Sequence, residues 1–285
     1  MSVHVRLVVP LVALLTAACG GASTVSDHVG SPSPRSVVSP TTTPSSVVKP
    51  QLSVNVYFLR GEKVASVHRD VPVAYGLGAA ATVRALLAGP TKREHGSGLS
   101  TTIPAHSRLL GLRIAHGTAD VNLNAAFESG GGSLSMTARL MQTVFTLTQF
   151  SPVQRVTFRV EGKHVSTFGG EGIMLDHPVN RTTYQSFLPP IFIDYPAIGE
   201  RVSNPLTVHG VANVFEGHFL VEVTTSSGKV LARKPALAAM GHYANFTAEL
   251  HLSVGTPGPG RVTAFDYSAK DGSRIDEYVV PVRLG

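Results

Sequence analysis

Few residues in this chain have the types and spacings that could carry chemistry. Asp120 and Glu128 come nearest to a carboxylate pair for general acid–base work, but no flanking pattern builds a cleft around them. Asp120 therefore reads as a strand-edge or turn hydrogen-bonder. Gly76-Leu77-Gly78-Ala79-Ala80-Ala81 approximates GxGxxA. A dinucleotide site also needs a parallel βαβ unit and an acidic residue ending the next strand. Glu94 falls in a glycine-rich loop instead, so the segment reads as a helix start. Gly96-Ser97-Gly98 lacks the GxSxG spacing of a hydrolase elbow. The 12 histidines are scattered, none pair at i, i+4 on a predicted helix, and there is no HExxH. His106 and His116 read as turn or surface residues. Phe215-Glu216-Gly217 is more specific: a glutamate between an aromatic and a glycine suits a strand corner, where it accepts backbone N–H groups or presents its carboxylate to a partner or to Ca²⁺. Phe215 and Glu216 are thus the candidate binding residues. Asp271, Asp276 and Glu277 read as hairpin solvation. No catalytic residue, metal ligand set or cofactor is predicted.

The remaining reactive group is the single cysteine, Cys19. One cysteine excludes a disulfide framework and any multi-cysteine metal site. Arg6 precedes the apolar run Leu7–Leu15, which is far shorter than the about 20 residues a membrane-spanning helix needs. This is the pattern of an export signal. It ends in Leu15-Thr16-Ala17-Ala18-Cys19, which resembles a bacterial lipobox, with Thr16 in place of the more usual leucine. That resemblance implies cleavage before Cys19, acylation of its thiol (a palmitate-type modification), and attachment to the outer face of the cell membrane by two or three acyl chains.

The elements that must position these groups divide into three stretches after residues 1–18. Residues 19–50, rich in Ser, Pro and Thr with prolines at 32, 34, 40, 44 and 50, predict a disordered tether. Residues 51–188 mix strand and helix signals in the order β-β-α-β-β-α-β. Gly61-Glu62-Lys63 reads as a turn, Gly78–Ala88 as a helix stopped by Gly89-Pro90, and Ser133 as the cap of a second helix facing inward through Leu134, Ala138, Met141 and Phe145. The fold class is α+β, with two helices packed on one sheet. Residues 190–285 carry about seven short strands with turn punctuation, Pro257-Gly258-Pro259-Gly260 reading as a loop, which predicts an all-β immunoglobulin-like sandwich.

At 43% hydrophobic and 15% charged, the chain is too apolar on average to be disordered. The formal charge of +6 is uneven. Residues 51–165 hold 12 Lys/Arg against 6 Asp/Glu, while residues 190–285 hold 8 against 9. The basic half suits anionic wall polymers or lipid headgroups. Nucleic acid is not an expected partner of an exported protein.

Several segments together resemble a known family. Leu86-Leu87-Ala88-Gly89-Pro90, Ile103-Pro104, Ala119-Asp120-Val121-Asn122-Leu123 with Phe127, Phe145 to Phe150 and Val156 to Gly162 follow one another as in GerMN domains of sporulation and spore-germination lipoproteins. Pro196, Pro205, Val208, Gly210, Ala212, Val214-Phe215-Glu216-Gly217 and Asp271-Gly272 resemble the immunoglobulin-like Gmad2 domain that accompanies GerMN. The resemblance implies an exported, non-catalytic lipoprotein of spore formation, germination or envelope assembly. GerMN domains are similar to ring-building modules, which makes a homo-oligomer, an envelope or membrane protein, or a cell-wall polymer the expected partner. The alternatives are a lipoprotein that modulates a membrane sensor kinase and, behind it, a cell-wall hydrolase.

Overall fold

The computed structural model describes residues 50–72, 78–170, 172–253 and 257–285. The export signal, Cys19, the tether (except Pro50) and the start of the Gly76–Ala81 segment lie outside the described residues.

The first module opens with the hairpin β1 (Gln51–Arg60) and β2 (Lys63–Pro72), turned at Gly61-Glu62 with Gly61 at φ 62°. Helix α1 (Gly78–Leu87) follows, then the short α2 (Lys92–Gly96) and β3 (Leu99–Ser100). β4 (Leu109–Ala115) and β5 (Thr118–Leu123) form a second hairpin. Its two central residues, His116 and Gly117, both have positive φ, as a tight primed turn requires. After a 3-10 turn at Ala125–Glu128 come α3 (Ser133–Leu147), β6 (Arg155–Val160), β7 (Lys163–His164), β8 (Thr167–Phe168) and β9 (Ile173–Met174). α3 is the crossover that makes β5 and β6 parallel.

The helices do not lie on one sheet as the strand order suggested. β2-β1-β3 and β4-β5-β6-β7 are separate sheets, and α1 and α3 pack against each other and against strands of both. The reason lies in α3. From Ala138 to Leu147 it is buried all round, and Leu134, expected on its inner face, is instead exposed. Its buried polar residues follow a helical stripe. The Gln142 amide donates to the Tyr57 carbonyl and the Tyr57 N–H donates to Thr146 Oγ1, while Gln149, half-buried just past the helix end, exchanges bonds with the Asn55 backbone in both directions. The helix thus satisfies part of the β1 edge where the next strand of a single sheet would lie. The N-cap of α3 is Gly132, with Ser133 its first helical residue. Arg139, buried one turn in, donates to the carbonyls of Thr102, Phe127, Ser129 and Gly130 and so fixes the glycine-rich entry loop.

A 3-10 segment, Arg181–Phe187, leads into the second module. Its strands are β10 (Ile191–Tyr195), β11 (Arg201–Val202), β12 (Leu206–Ala212), β13 (His218–Thr225), β14 (Val230–Leu237), β15 (Ala244–Leu250), β16 (Gly258–Tyr267) and β17 (Arg274–Leu284). They form a three-stranded sheet, β10-β12-β15, and a five-stranded sheet, β11-β17-β16-β13-β14, the two layers of an immunoglobulin-like sandwich. Gly258, Pro259 and Gly260, expected in a loop, instead open β16 opposite Val282–Leu284. Gly260 permits this, because a Cβ there would lie 2.8 Å from the Leu284 side chain.

One hydrophobic core runs through both modules, bridged by Phe145, Phe192 and Tyr278 in successive edge-on contacts. Backbone bonds cross as well: His68 N–H donates to the Ile198 carbonyl and Ile198 N–H to the Ser66 carbonyl, both at 3.0 Å. Among the described residues no helix is long and apolar enough to cross a membrane.

Candidate functional site

Polar chemistry and access combine at the cleft where the modules meet and at one corner of the second module.

The cleft, of about 510 Å³, is lined from β1 and β2 by Ser53, Asn55, Tyr57 and His68, and from the second module by Asp194, Tyr195, Glu200 and His209. Arg181 sits at its base. It donates to Asp194 Oδ2 at 2.8 Å, the Tyr57 hydroxyl at 2.9 Å, Thr148 Oγ1 at 2.9 Å and the Phe145 carbonyl at 3.2 Å. Its guanidinium also lies over the Tyr57 and Phe145 rings, 5.0 and 4.8 Å from their centroids. Tyr57 in turn donates to Asp194 Oδ1 at 2.5 Å. Burial pushes the Tyr57 hydroxyl well above its ordinary value, and it stays a donor at any working pH. For Arg181, burial opposes the charge, but the Tyr57 and Asp194 oxygens outweigh it and hold the guanidinium above its usual range. The cluster is therefore a hydrogen-bonded ion pair between Arg181 and Asp194, braced by Tyr57. Its geometry ties β1 and α3 of the first module to β10 of the second.

A serine, a histidine and an aspartate also meet at this cleft, because Ser53 pairs with Asp70 and Asn55 with His68 across the β1–β2 hairpin. A hydrolytic triad needs the histidine between nucleophile and acid. Here Ser53 Oγ donates straight to Asp70 at 2.6 Å, and His68 approaches Asp70 at 3.6 Å and Glu200 at 3.8 Å. The serine is thus paired with the acid, with no base placed to activate it.

Phe215-Glu216-Gly217 forms a single 3-10 turn between β12 and β13. Glu216 sits at φ 59°, a left-handed conformation that costs a non-glycine residue about 1 kcal/mol. Gly217, at φ 69°, lies against β14: the Ala238 N–H donates to its carbonyl at 2.9 Å, and a Cβ there would come within 3.0 Å of the Ala238 carbonyl. Glu216 uses its backbone at this corner, its carbonyl meeting His218 Nδ1 at 2.9 Å, and its carboxylate has no partner among the described residues. The structural role expected for that carboxylate, accepting backbone N–H groups, is therefore not the one it plays. Phe215 is 70% exposed, and the adjoining segment adds Leu237 at 61% and Met240 at 62%. Three large apolar side chains thus stand out at one corner whose backbone is pinned.

The other candidates fall to structural roles. Asp120, on the inner strand β5, bonds Arg159 on β6 at 2.7 Å and Thr157 at 3.3 Å, while Glu128 accepts from the Gly169 N–H, so the two carboxylates serve separate contacts. Glu94 is not in a loop but in the first turn of α2, where it closes a capping box with Thr91 and receives Arg69. His106 and His116 occupy turns at positive φ. Asp271 bonds the Ser273 backbone and hydroxyl within the hairpin, whereas Asp276 and Glu277 belong to β17. Among the described residues no three His, Cys, Asp or Glu side chains are grouped to hold a metal ion. The sequence reading missed Tyr57, Arg181 and Asp194, which are far apart in the chain and carry no local motif.

A family model described as sporulation and spore germination (Germane) matches residues 55–166, and the model for the immunoglobulin-like domain of bacterial spore germination (Gmad2) matches residues 190–273. Similar solved structures include the first GerMN domain of the sporulation protein GerM from Bacillus subtilis, at 19% identity, covering 46% of this chain and 98% of that one, with a TM-score of 0.38. The tandem GerMN domains of the same protein match at 14% identity over 82% of this chain and 60% of that one, TM-score 0.42. A putative lipoprotein from Clostridium perfringens matches at 19% identity over 49% and 94%, TM-score 0.34. No curated protein sequence matches.

Proposed function

We propose that this chain, which belongs to the family joining a GerMN sporulation-and-germination domain to an immunoglobulin-like Gmad2 domain, is a lipid-anchored, non-catalytic scaffold of the cell envelope. In this reading Cys19 carries the acyl chains, residues 20–50 space the folded part from the membrane, and the two modules act as one stiff body. The observation that carries the reading is the Phe215 corner. An exposed aromatic with two further apolar side chains, on a backbone pinned to β14, presents a preorganised surface, and such a surface loses little conformational freedom on binding. Aromatic residues and methionine are enriched at protein interfaces relative to the rest of the surface. The fixed Arg181–Asp194–Tyr57 cluster gives this corner a defined direction relative to the first module. The partner expected here is an envelope protein.

The test is crosslinking in the native host followed by affinity capture of the full-length chain, comparing wild type with Phe215→Asp. A protein that recurs with the wild type and is lost with Phe215→Asp, at unchanged melting temperature, supports the reading. Identical recovery with both overturns the assignment of this corner.

A further inference from the structure

The two modules enclose a second groove, of about 680 Å³, on the side of β2 and α2. Its walls carry Arg93 from α2, Arg201 from β11, Arg261 from β16 and Arg283 from β17, and it runs on into a neighbouring depression that shares Arg93, Arg201 and Arg283. The strand register explains the clustering. Arg201 is the direct partner of Arg283, and Arg283 pairs with Pro259, two positions before Arg261, so all three stand on one face of the sheet. Like charges placed directly opposite each other across two strands destabilise a sheet.

Among the described residues no side chain pairs with these charges, and none of the four guanidinium groups has an ion pair or a side-chain hydrogen bond. Two carboxylates, Asp70 and Glu94, also line the groove, with Glu200 close by, and all three are already engaged. Glu94 holds Arg69 and the Thr91 N–H, Asp70 accepts from Ser53, and Glu200 accepts from the Ala197 N–H and faces His68. The four groove arginines are exposed, whereas the half-buried Arg60 and Arg181 between the modules donate to the Val279 carbonyl and to Asp194. Four cations converging on a concave surface without a counter-ion form an anion site, and guanidinium is the group that suits phosphate oxygens by two-pronged bonding.

We propose that this groove binds a linear phosphate-bearing polyanion, with Arg93, Arg201, Arg261 and Arg283 each engaging a phosphate. The continuation of the groove into the neighbouring depression and the spread of the arginines over four elements favour a strand with repeating charges over a single ion. A membrane surface fits less well. Binding in the plane of a bilayer draws on protruding apolar side chains, and among the described residues no large exposed apolar side chain lines this groove. The site is separate from the Phe215 corner, and neither requires the other.

The test is fluorescence anisotropy of labelled long-chain inorganic polyphosphate against the full-length protein, with orthophosphate and phosphatidylglycerol vesicles as comparison ligands. Binding of polyphosphate is expected to weaken with salt, with a slope of log affinity against log salt of about −3, from four contacts at about 0.7 each. The pair Arg201→Ser with Arg283→Ser is expected to cut affinity by at least about tenfold and to reduce that slope by about 1.4. Its melting temperature is expected to be unchanged or higher, because a like-charge pair has been removed. Arg261→Ser alone, at a site without that pairing, serves if the double variant does not fold. Unchanged polyphosphate affinity in the variants overturns the site, as does binding that orthophosphate matches. Vesicles that bind more tightly than polyphosphate through the same arginines overturn the strand assignment in favour of a membrane surface. Loss of partner capture in Phe215→Asp leaves these outcomes untouched.

Discussion

Replacing Arg181 by methionine measures what the inter-module ion pair contributes. The substitution keeps an unbranched side chain of similar length. It removes the donors to Asp194, the Tyr57 hydroxyl, Thr148 and the Phe145 carbonyl, and the cation above two aromatic rings. Asp194 is left with the Tyr57 hydroxyl as its side-chain donor, a carboxylate stranded without its counter-charge. Breaking a buried pair by removing one partner costs about 3–5 kcal/mol. The two side chains here retain 30% and 21% of their exposure, which places the cost near the lower end, at about 3 kcal/mol. For a folded region of this size each kcal/mol shifts the midpoint by about 2–4 °C, so the variant should melt about 6–12 °C below wild type. Calorimetry on wild type, Arg181→Met, Asp194→Asn and the double variant closes a cycle. Because Asp194→Asn removes the stranded charge, the double variant should be less destabilised than the sum of the single ones by about 1–2 kcal/mol. A midpoint within about 2 °C of wild type, or strict additivity, would refute the reasoning.

Other consequences follow from single contacts. Gly210→Ala should cost about 3 kcal/mol or more, since its Cβ would lie 1.9 Å from the Phe192 carbonyl oxygen and no side chain there can rotate away; a soluble variant with wild-type melting would contradict this. Burial works against the Glu94 carboxylate, but Arg69 and Thr91 outweigh it and hold its pKa below the ordinary 4.5. That contribution is complete above 4.5 and is lost as the pH falls through the folded-state value, so Glu94→Gln should flatten the acid limb of a melting-temperature profile. An identical acid limb in the variant would exclude Glu94 as its source. Cys19→Ala should release the protein from membrane fractions or leave the precursor uncleaved, as fractionation and intact-mass measurement would report; an acylated, membrane-bound variant rules out the anchor.

Much of the fold was legible because its signals are local. The β1–β2 turn at Gly61, the β4–β5 turn at His116-Gly117, the stop at Gly89 and the strand spacing beyond residue 190 all follow from residue type over a few positions. The division of the first module into two sheets was not legible. It depends on Gln142, Thr146 and, just past the helix end, Gln149, whose bonds to the β1 backbone no local pattern announces. Leu134 was misplaced for the same reason: a helix buried all round has no single inner face, and its first turn projects beyond the core. At the corner, Phe215 and Glu216 were visible as an aromatic–acid–glycine signal, but the apolar company of Leu237 and Met240 comes from β14 and the segment after it. Arg181 and the four groove arginines carry no motif: strand register sets Arg201, Arg261 and Arg283 side by side, and the packing of the modules adds Arg93.

The most direct test of the account is photo-crosslinking in the native host from position 215, with Leu110, an exposed apolar residue on β4 of the other module, as the control position. The account predicts a discrete crosslinked species from position 215 that is absent from position 110. No crosslink from 215, or the same products from both positions, would contradict the assignment of this corner as the surface through which the protein works.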